Sequence, residues 1–385
     1  MKPIKAAVIG TGFIGPAHIE ALKRIAGVEI AAVVSSRPDR AKQLAAMHAI
    51  PKAYSDWKQL AADSQIEVVH NCTPNNLHFE INRAMILAGK HLVSEKPLTL
   101  NSRESAELVK LAREKKVINA INFNYRFYPL IQQARAMVQK NEIGDVYLIH
   151  GHYLQDWLYF DTDYNWRLDS DISGESCVIA DIGSHWCDLM QFISGLKIKQ
   201  VFADLTTIHK TRQRPKQPVD TFKGKETSTP TEFEPLSINT EDIGSMLLQF
   251  ENGAHGVFTV SQLSAGRKNR LWFEIDGSKK ALAWDQEQPN QLWVGYRQKP
   301  NEIIIKDPSL LDESARQFAH YPGGHPEGYA DVLKNMFIKV YDYIREGKNT
   351  LSDKPEFPTF TDGHLEMQIV EAALKSFREQ RWIEI

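Results

Sequence analysis

Short apolar runs alternate with longer amphipathic segments over about the first 120 residues of the chain. Ile4–Ile9 and Val28–Val34 are strand-length apolar runs, and Pro38–Met47 has helical spacing with a proline in its first turn. Further predicted strands are Ile66–Val69, His91–Val93 and Val117–Ala120, and further predicted helices are Pro16–Ile25, Asn76–Ala88 and Arg103–Lys115. Strands that alternate with helices of about ten or more residues are typical of βαβ units. Residues 1–125 are therefore predicted to form an α/β domain with a doubly wound parallel sheet.

The pattern changes after residue 125, where strand-length runs follow one another with few helices between them. The predicted strands are Gly144–Tyr153, Val201–Leu205, Gly244–Phe250, Ala254–Leu263, Leu271–Asp276 and Ala281–Trp284. Clustered strands favour a large, mainly antiparallel open sheet, so residues 126–385 are expected to form an α+β domain. Two late helices, Tyr329–Glu346 and Thr361–Glu379, belong to it, and the last is expected to pack back toward the first domain. Residues 211–240 are predicted to be a long excursion between two strands of this sheet.

Length and composition agree with two globular domains. The chain has 385 residues, more than one hydrophobic core usually organises, and 42% of them are hydrophobic. The formal net charge of −2 gives no electrostatic drive toward nucleic acid or an anionic membrane. No membrane-length apolar run and no secretory leader is visible, and three cysteines are too few for a disulfide framework. We therefore expect a cytoplasmic protein that binds neither nucleic acid nor membrane, and without zinc-like spacing no metal is predicted.

A glycine-rich turn follows the first predicted strand. Gly10, Gly12 and Gly15 form G-x-G-x-x-G between a strand and a helix, with Phe13 and Ile14 inside the turn. The glycines permit a tight turn, close approach of a pyrophosphate and close helix–strand packing. The helix N-terminus offers free N–H groups to the phosphates. In this context the motif predicts a Rossmann-type dinucleotide site; the alternative is a glycine turn that serves packing only.

The end of the second strand bears on the choice of cofactor. NAD sites usually place a carboxylate about 20 residues after the glycines, where it binds the ribose 2′-hydroxyl. Here Ser35, Ser36 and Arg37 occupy that stretch, and they can bind a 2′-phosphate by charge-assisted hydrogen bonds. The sequence therefore favours NADP over NAD. The alternative is that Arg37 and Arg40 are solvated charges and NAD binds through the remaining contacts.

Two later motifs contain residues suited to catalysis. Glu95-Lys96-Pro97-Leu98 follows a short predicted strand, so Lys96 lies at a carboxyl strand end, where open α/β sheets bind ligands. Asp181 and His185 are four residues apart where a loop is predicted to enter a helix ending at Gly195, so both can face one direction.

These three motifs, in this order and spacing, resemble the Gfo/Idh/MocA family of oxidoreductases over essentially the whole chain. The resemblance implies NAD(P)-dependent hydride transfer at a hydroxyl-bearing carbon of a sugar, sugar derivative or inositol. It also implies that Lys96, Asp181 and His185 are the catalytic residues and contact the substrate. The positions it places at the cofactor are Thr73, Pro74, Asn75, His78, Glu95, Lys96 and Asn124, and those it places at the substrate include Tyr125, Trp166 and Arg167.

The chemistry of the residue types agrees with that implication. Oxidation of a carbinol needs a base for the hydroxyl proton, and the intrinsic pKa of histidine suits His185 to that task. The Lys96 ammonium can stabilise the developing alkoxide, and Asp181 can orient the imidazole or bind a neighbouring hydroxyl. The aromatic and polar stretch that contains Asp156, Trp166 and Arg167 is typical of sugar sites, although aromatic packing on the sheet is an equal alternative.

Two further expectations concern partners and competing functions. Gly256–Leu263 and Leu271–Ile275 carry apolar residues on both faces, so one sheet face is expected to bind a second copy in a homodimer or homotetramer. Two other activities remain open at this point: a cofactor-retaining glycosidase of the same fold, and a non-catalytic NAD(P)-binding regulator. The presence of Lys96 and His185 disfavours the regulator.

Overall fold

The computed structural model describes residues 2–216, 232–350 and 352–385. The first part of the chain forms a six-stranded, wholly parallel sheet in the order β3-β2-β1-β4-β5-β6. Its strands are β1 Ile4–Ile9, β2 Val28–Val34, β3 Lys52–Tyr54, β4 Val68–Asn71, β5 His91–Ser94 and β6 Asn119–Ile121. The strand order reverses between β1 and β4, and open parallel sheets bind ligands at such a switch point. The predicted doubly wound parallel sheet is confirmed.

Helices cover both sheets and join them. They are α1 Ile14–Lys23, α2 Pro38–His48, α3 Lys58–Ala62, α4 His78–Leu87, α5 Ser102–Lys115, α6 Pro129–Gln139, α7 Ser170–Ser173, α8 Ser184–Ser194, α9 Glu313–Arg316, α10 Tyr329–Arg345 and α11 Phe360–Glu379. Local chemistry sets several of their ends: the Asn101 side chain accepts from Glu104 N at the start of α5, and Gly195 ends α8 with φ +74°. Helices α3, α6, α7 and α9 were not predicted from the sequence, and three of them have only four or five residues.

The second sheet has nine strands in the order β16-β15-β14-β13-β7-β12-β11-β8-β17. Its strands are β7 Val146–Leu154, β8 Ile198–Thr206, β11 Ile243–Phe250, β12 His255–Ser261, β13 Arg270–Gly277, β14 Ala281–Asp285, β15 Gln291–Gly295, β16 Glu302–Ile305 and β17 Ile383–Glu384. Only the pair formed by β7 and β12 is parallel, so the predicted, mainly antiparallel sheet is confirmed. The strands β15, β16 and β17 were not predicted.

The excursion over residues 211–240 begins and ends as an antiparallel hairpin. Strand β9 (Thr211–Pro215) pairs with β10 (Phe233–Ser237), and residues 217–231 lie outside the described part of the chain. The fully buried Arg212 anchors the hairpin: its guanidinium donates to Asp242 Oδ1 at 2.8 Å and to the carbonyl of Phe160 at 2.8 Å. A buried guanidinium that meets a carboxylate and carbonyls holds the hairpin against the 158–163 loop.

One face of the nine-stranded sheet is buried by helices and the other is open. On the open face Leu247 is 48% exposed and Val257 39% exposed, and His150 Nε2 lies 3.5 Å from Asp276 Oδ2. On the buried face, Trp186 stacks on Phe258 with ring centroids 4.5 Å apart. Of the helices in the described residues, none combines the length and apolarity needed to cross a membrane.

The last helix connects the two sheets. Helix α11 packs against α5 and β6 of the first sheet and against β8 of the second. At its start, Phe360 N donates to Asn119 Oδ1 at 2.8 Å, and farther along, Glu371 Oε2 accepts from Ser102 Oγ at 2.6 Å. These contacts fix the carboxyl ends of the parallel strands opposite the second sheet.

Candidate active site

A cavity of about 840 Å³ lies between the carboxyl ends of the parallel strands and the second sheet. Most of the residues singled out by sequence line it: Gly10, Gly12, Phe13, Ile14, Ser35, Ser36, Arg37, Thr73, Pro74, Asn75, Glu95, Lys96, Tyr125, Trp166, Arg167, Asp181 and His185. The cavity therefore brings the glycine turn and the three residues suited to catalysis into one enclosure. Its volume falls in the range of small-molecule and cofactor sites.

The glycine turn forms one end of this cavity, and its three glycines have different surroundings. Gly10 has φ +107°, and a Cβ there would lie 2.3 Å from the carbonyl oxygen of Cys72. A Cβ on Gly15 would lie 2.0 Å from the carbonyl oxygen of Gly10, whereas a Cβ on Gly12 would meet no atom within 4 Å. Gly10 and Gly15 are thus required by the fold of the turn. Gly12 leaves open space beside the N-terminus of α1, where a pyrophosphate fits.

The end of β2 forms the neighbouring wall. Ser35 is 7% exposed and its Oγ hydrogen-bonds with Thr11 Oγ1 at 2.9 Å, while Ser36 and Arg37 are exposed to the cavity. Asp56 also lines this end, and its Oδ1 accepts from Lys58 N at 2.9 Å. Sequence analysis missed this carboxylate because it follows β3, an edge strand of three residues. A hydroxyl pair, a guanidinium and one carboxylate thus face the same end.

An ion-paired cluster lies at the opposite end of the cavity. Lys96 Nζ donates to Asp181 Oδ1 at 2.8 Å and to the Asp181 carbonyl at 2.6 Å. Arg167 Nε donates to the same Oδ1 at 3.1 Å, and Gln262 Nε2 donates to Oδ2 at 2.8 Å. Burial opposes ionisation of Asp181, but the charges of Lys96 and Arg167 outweigh it and hold its pKa below the usual range. The carboxylate is therefore ionised and fixes the lysine.

His185 lies beside this cluster and lines the cavity. It is 7% exposed, its ring packs edge-on against Tyr125 at 4.7 Å, and among the described residues no hydrogen-bond partner reaches its Nδ1. Burial, and then the charge of Lys96, lower the pKa of His185 well below its usual range, against a smaller opposite effect of Asp181. The imidazole is therefore neutral and can accept a proton. The Asp181 carboxylate binds Lys96 and Arg167; the hydrogen bonds that place it do not include His185.

Local helix geometry places Asp181 and His185 on the cavity wall. Sequence analysis predicted a loop before α8, but Ile179–Gly183 is a π-helical turn that runs directly into it. The π-turn is held from outside, since Glu241 Oε1 accepts from Ile179 N at 3.0 Å and from Ser176 Oγ at 2.5 Å. Wide turns of this kind within helices are frequent at functional sites.

A cyclic cluster of hydroxyl and amide groups forms the wall beside His185. Tyr125 and Tyr153 hydrogen-bond through their hydroxyls at 2.6 Å, Tyr153 donates to Asn269 Oδ1 at 2.6 Å, and Asn269 Nδ2 donates to Tyr125 at 3.2 Å. Gln155 Nε2 also donates to Asn269 Oδ1, at 2.7 Å. Of these residues only Tyr125 was predicted. The position of Tyr153 and Gln155 at the end of a predicted strand was the one available signal; nothing local marked Asn269.

Gly15 and three further predicted residues lie outside the cavity wall. His78 is buried behind it, with ring nitrogens hydrogen-bonded to the carbonyl oxygens of Pro97 and Thr73 at 2.7 and 2.9 Å. Asn124 is 2% exposed and belongs to a buried 3₁₀ turn. Asp156 turns toward the 266–268 loop, where its Oδ2 accepts from Lys268 Nζ at 2.6 Å and from Gly266 N at 3.0 Å. The structure therefore does not bring these three side chains to the cavity.

Two family descriptions match consecutive parts of the chain. Residues 4–123 match the oxidoreductase family with an NAD-binding Rossmann fold, and residues 131–283 match the GFO/IDH/MocA C-terminal domain. Together they cover well over half of the chain.

Individual relatives match along the full length. The levoglucosan dehydrogenase of Pseudarthrobacter phenanthrenivorans is 26% identical over 408 aligned positions, covering 100% of this chain and 99% of that protein. A levoglucosan dehydrogenase solved with NADH and L-sorbose superposes with a TM-score of 0.88 at 25% identity, covering 100% and 99% of the two chains. An inositol dehydrogenase homolog from Azotobacter vinelandii, complexed with NAD⁺, gives 0.87 at 25% identity, covering 100% and 98%.

The matched regions include the glycine turn, the Glu95-Lys96-Pro97 motif and the Asp181–His185 segment. The chain folds as these relatives do along its whole length. It therefore belongs to the Gfo/Idh/MocA family of NAD-dependent oxidoreductases.

Proposed function

We propose that this protein transfers a hydride between a nicotinamide dinucleotide and a hydroxyl-bearing carbon of a sugar, sugar derivative or inositol. The observation that carries the proposal is the convergence of Lys96, Asp181 and His185 at one end of a cavity whose other end is the glycine turn. Relatives named for levoglucosan and for inositol support the substrate class.

The residues of the cavity fit a dinucleotide. Gly12 leaves room for a pyrophosphate, and Thr73, Pro74 and Asn75 continue the wall from there to Glu95 and Lys96. When bound, the nicotinamide ring supplies the site that accepts or gives the hydride. We assign Gly10, Gly12, Phe13, Ile14, Gly15 and Thr73 to Asn75 to its binding.

His185 is the proposed acid–base. Its neutral imidazole can accept the proton of the substrate hydroxyl as the carbinol is oxidised, and can return it in the reverse direction. Lys96 is the proposed electrophile: an ammonium has three N–H donors, and Asp181 takes two, which leaves one for the substrate oxygen. Asp181 is then a positioning residue for Lys96 and neutralises part of its charge.

The remaining wall suits a polyol. Tyr125, Tyr153, Gln155 and Asn269 present hydroxyl and amide groups that can read hydroxyls, and the Trp166 ring offers an apolar face to C–H groups. Arg167 is already paired with Asp181, so the wall carries little uncommitted charge. These features favour an uncharged sugar or inositol.

We further propose a preference for NADP over NAD. Ser35, Ser36 and Arg37 at the end of β2 support it, because a guanidinium and hydroxyls complement a 2′-phosphate. The relatives in complexes hold NAD⁺ or NADH, and Asp56 supplies a carboxylate to the same end, so both dinucleotides belong in the binding test.

The division into domains 1–125 and 126–385, a cytoplasmic location and a homodimeric or homotetrameric state are also proposals. The open sheet face supports the oligomer, since Leu247 and Val257 stand exposed on neighbouring strands. Light scattering of wild type and Leu247→Glu tests it: wild type should be oligomeric and the variant smaller. Leu310→Glu, at a 75% exposed residue between β16 and α9, is the control, and a monomeric wild type would exclude the oligomer.

The activity is tested with purified full-length protein and a panel of sugars and inositols, with NAD⁺ and NADP⁺ supplied separately. Reduction of the nicotinamide, followed by absorbance, together with an oxidised sugar in the products, supports the proposal. Release of free sugar without net reduction would indicate a glycosidase instead. Tight cofactor binding without turnover on any substrate would indicate a regulator.

A further inference from the structure

A series of buried, hydrogen-bonded side chains leads from helix α10 to the cavity wall. The Tyr341 hydroxyl lies 2.9 Å from His70 Nε2, the two Nδ1 atoms of His70 and His18 lie 2.9 Å apart, and His18 Nε2 lies 2.9 Å from Glu95 Oε1. Tyr341, His70 and His18 are completely buried, and the Phe337 ring packs against both imidazoles. Of these four hydrogen-bonded residues, only Glu95 lines the cavity.

The hydrogen bonds to Glu95 hold it in the ionised, carboxylate form. A carboxylate oxygen accepts hydrogen bonds, so the short contacts make His18 Nε2 and Asn122 Nδ2, the latter at 2.5 Å, donors to Glu95 Oε1. Burial opposes the charged form of Glu95, but the bonds from His18 and Asn122 and the charge of Lys96 outweigh it and lower its pKa. A buried, doubly hydrogen-bonded side chain is also fixed in place.

Charge balance at this end of the cavity depends on Glu95. Lys96 and Arg167 bring two positive charges, Asp181 brings one negative charge, and His185 is neutral. Glu95 adds a second negative charge, and its loss would shift the charge at this end toward positive. The oxidised nicotinamide ring is a cation and the reduced ring is neutral. A change in the charge of the site therefore changes mainly the binding free energy of the oxidised dinucleotide.

We propose that the charge of Glu95 sets the preference of the site for the oxidised over the reduced dinucleotide. The inference rests on the proposed function, because it requires that a nicotinamide ring occupies this end. Contact with the cofactor alone would not distinguish its two redox states. In this proposal Glu95 does distinguish them.

Titration of the full-length protein with NAD⁺ and with NADH, by calorimetry or intrinsic fluorescence, tests this without turnover. Glu95→Gln removes the charge and should weaken NAD⁺ relative to NADH by about 10- to 100-fold. Glu95→Asp keeps the charge and should keep most of the wild-type ratio. Because the ratio is taken within one protein, a partly unfolded sample does not change it.

Tyr341→Phe is the matched control, because it removes the hydrogen bond between Tyr341 and His70 without changing any charge. Its ratio should equal that of wild type even if its melting temperature falls. If Glu95→Gln does not fold, Lys96→Met gives the converse test: removal of a positive charge should move the ratio toward NAD⁺. An unchanged ratio in Glu95→Gln, or in Lys96→Met where that is used, overturns the inference. A wild type that binds neither dinucleotide contradicts the proposed function instead.

Discussion

The two ends of the cavity are built in different ways. At the glycine turn the wall is backbone, and the critical property is the absence of side chains: Gly10 and Gly15 allow the turn to fold, and Gly12 leaves open space. At the opposite end the wall is mainly side chain, and each functional group is held by another: Asp181 by Lys96, Arg167 and Gln262. A substitution at the first end therefore acts through volume, whereas one at the second acts through charge and proton position.

The largest expected effect is on turnover, at the end of the cavity that is built from side chains. His185→Ala should lower single-turnover hydride transfer by about 10²–10⁴-fold, because it removes the proposed acid–base. Cofactor affinity and melting temperature should stay near wild type. His325→Ala, at an exposed histidine in the loop before α10, is the control. A folded His185→Ala enzyme with nearly normal turnover would remove His185 from its assigned role.

Proton position also predicts the pH dependence. Because the pKa of His185 is lowered, the neutral form persists below the usual histidine range of about 6.5. The acidic limb of the kcat/KM profile for alcohol oxidation should therefore lie below that value. A limb above it would mean that another group, or a histidine in a more polar environment, limits the reaction.

The turn offers a comparison between two substitutions of one kind. Gly12→Ala should fold normally and lose up to about one hundredfold in dinucleotide affinity, since its Cβ enters space meant for the cofactor. Gly15→Ala should instead lower the melting temperature, because its Cβ would lie 2.0 Å from the Gly10 carbonyl oxygen. Thermal unfolding and cofactor titration of both variants separate the two effects. Equal loss of stability in both would contradict the distinction.

The same contrast explains which features sequence alone could predict. The glycine turn, Lys96 and the Asp181–His185 pair are short local patterns at strand or helix ends, and Gly10, Gly12, Lys96, Asp181 and His185 all line the cavity. Asn269 and Gln262 lie in the connection between β12 and β13 and reach the site only through the tertiary fold, and no spacing rule connects residues 81 or more positions apart. Asp156 is the converse case: its side chain pairs with Lys268, which lies 112 residues away, and no local pattern predicts that contact.

A smaller effect on cofactor affinity is expected for Arg37, which lies near the glycine turn at the end of β2. Arg37→Ala should weaken NADP⁺ by about one to two powers of ten, the cost of about 1.5–3 kcal/mol for a charge-assisted contact, and leave NAD⁺ nearly unchanged. Arg83→Ala, whose surface guanidinium pairs with Glu107, is the control. Tighter binding of NAD⁺ than NADP⁺ by wild type would contradict the proposed preference.

Behind the substrate end, helix α8 is supported by a buried group of charges. Arg126 Nε donates to Asp188 Oδ2 at 2.9 Å, and Gln191 Nε2 donates to Glu366 Oε1 at 2.9 Å. Burial raises the pKa of Asp188 to about 6 despite Arg126, and burial together with Asp188 raises the pKa of Glu366 well above its usual range. The Glu366 Oε2 atom has no hydrogen-bond partner among the described residues.

The smallest expected effect is on stability and depends on pH. A carboxyl whose pKa is raised in the folded state is not penalised below its unfolded pKa of about 4.3, and destabilises the fold as pH rises through the folded value. Glu366→Gln keeps the Oε1 acceptor for Gln191 and removes the buried charge. It should match wild type at about pH 4 and be more stable at about pH 8, by about 1–3 kcal/mol in the free energy of unfolding. Glu107→Gln, at an exposed carboxylate, should show no such pH-dependent gain. Denaturant unfolding of the three proteins at both pH values measures this, and a gain of equal size at both would mean that the charge of Glu366 is not its cause.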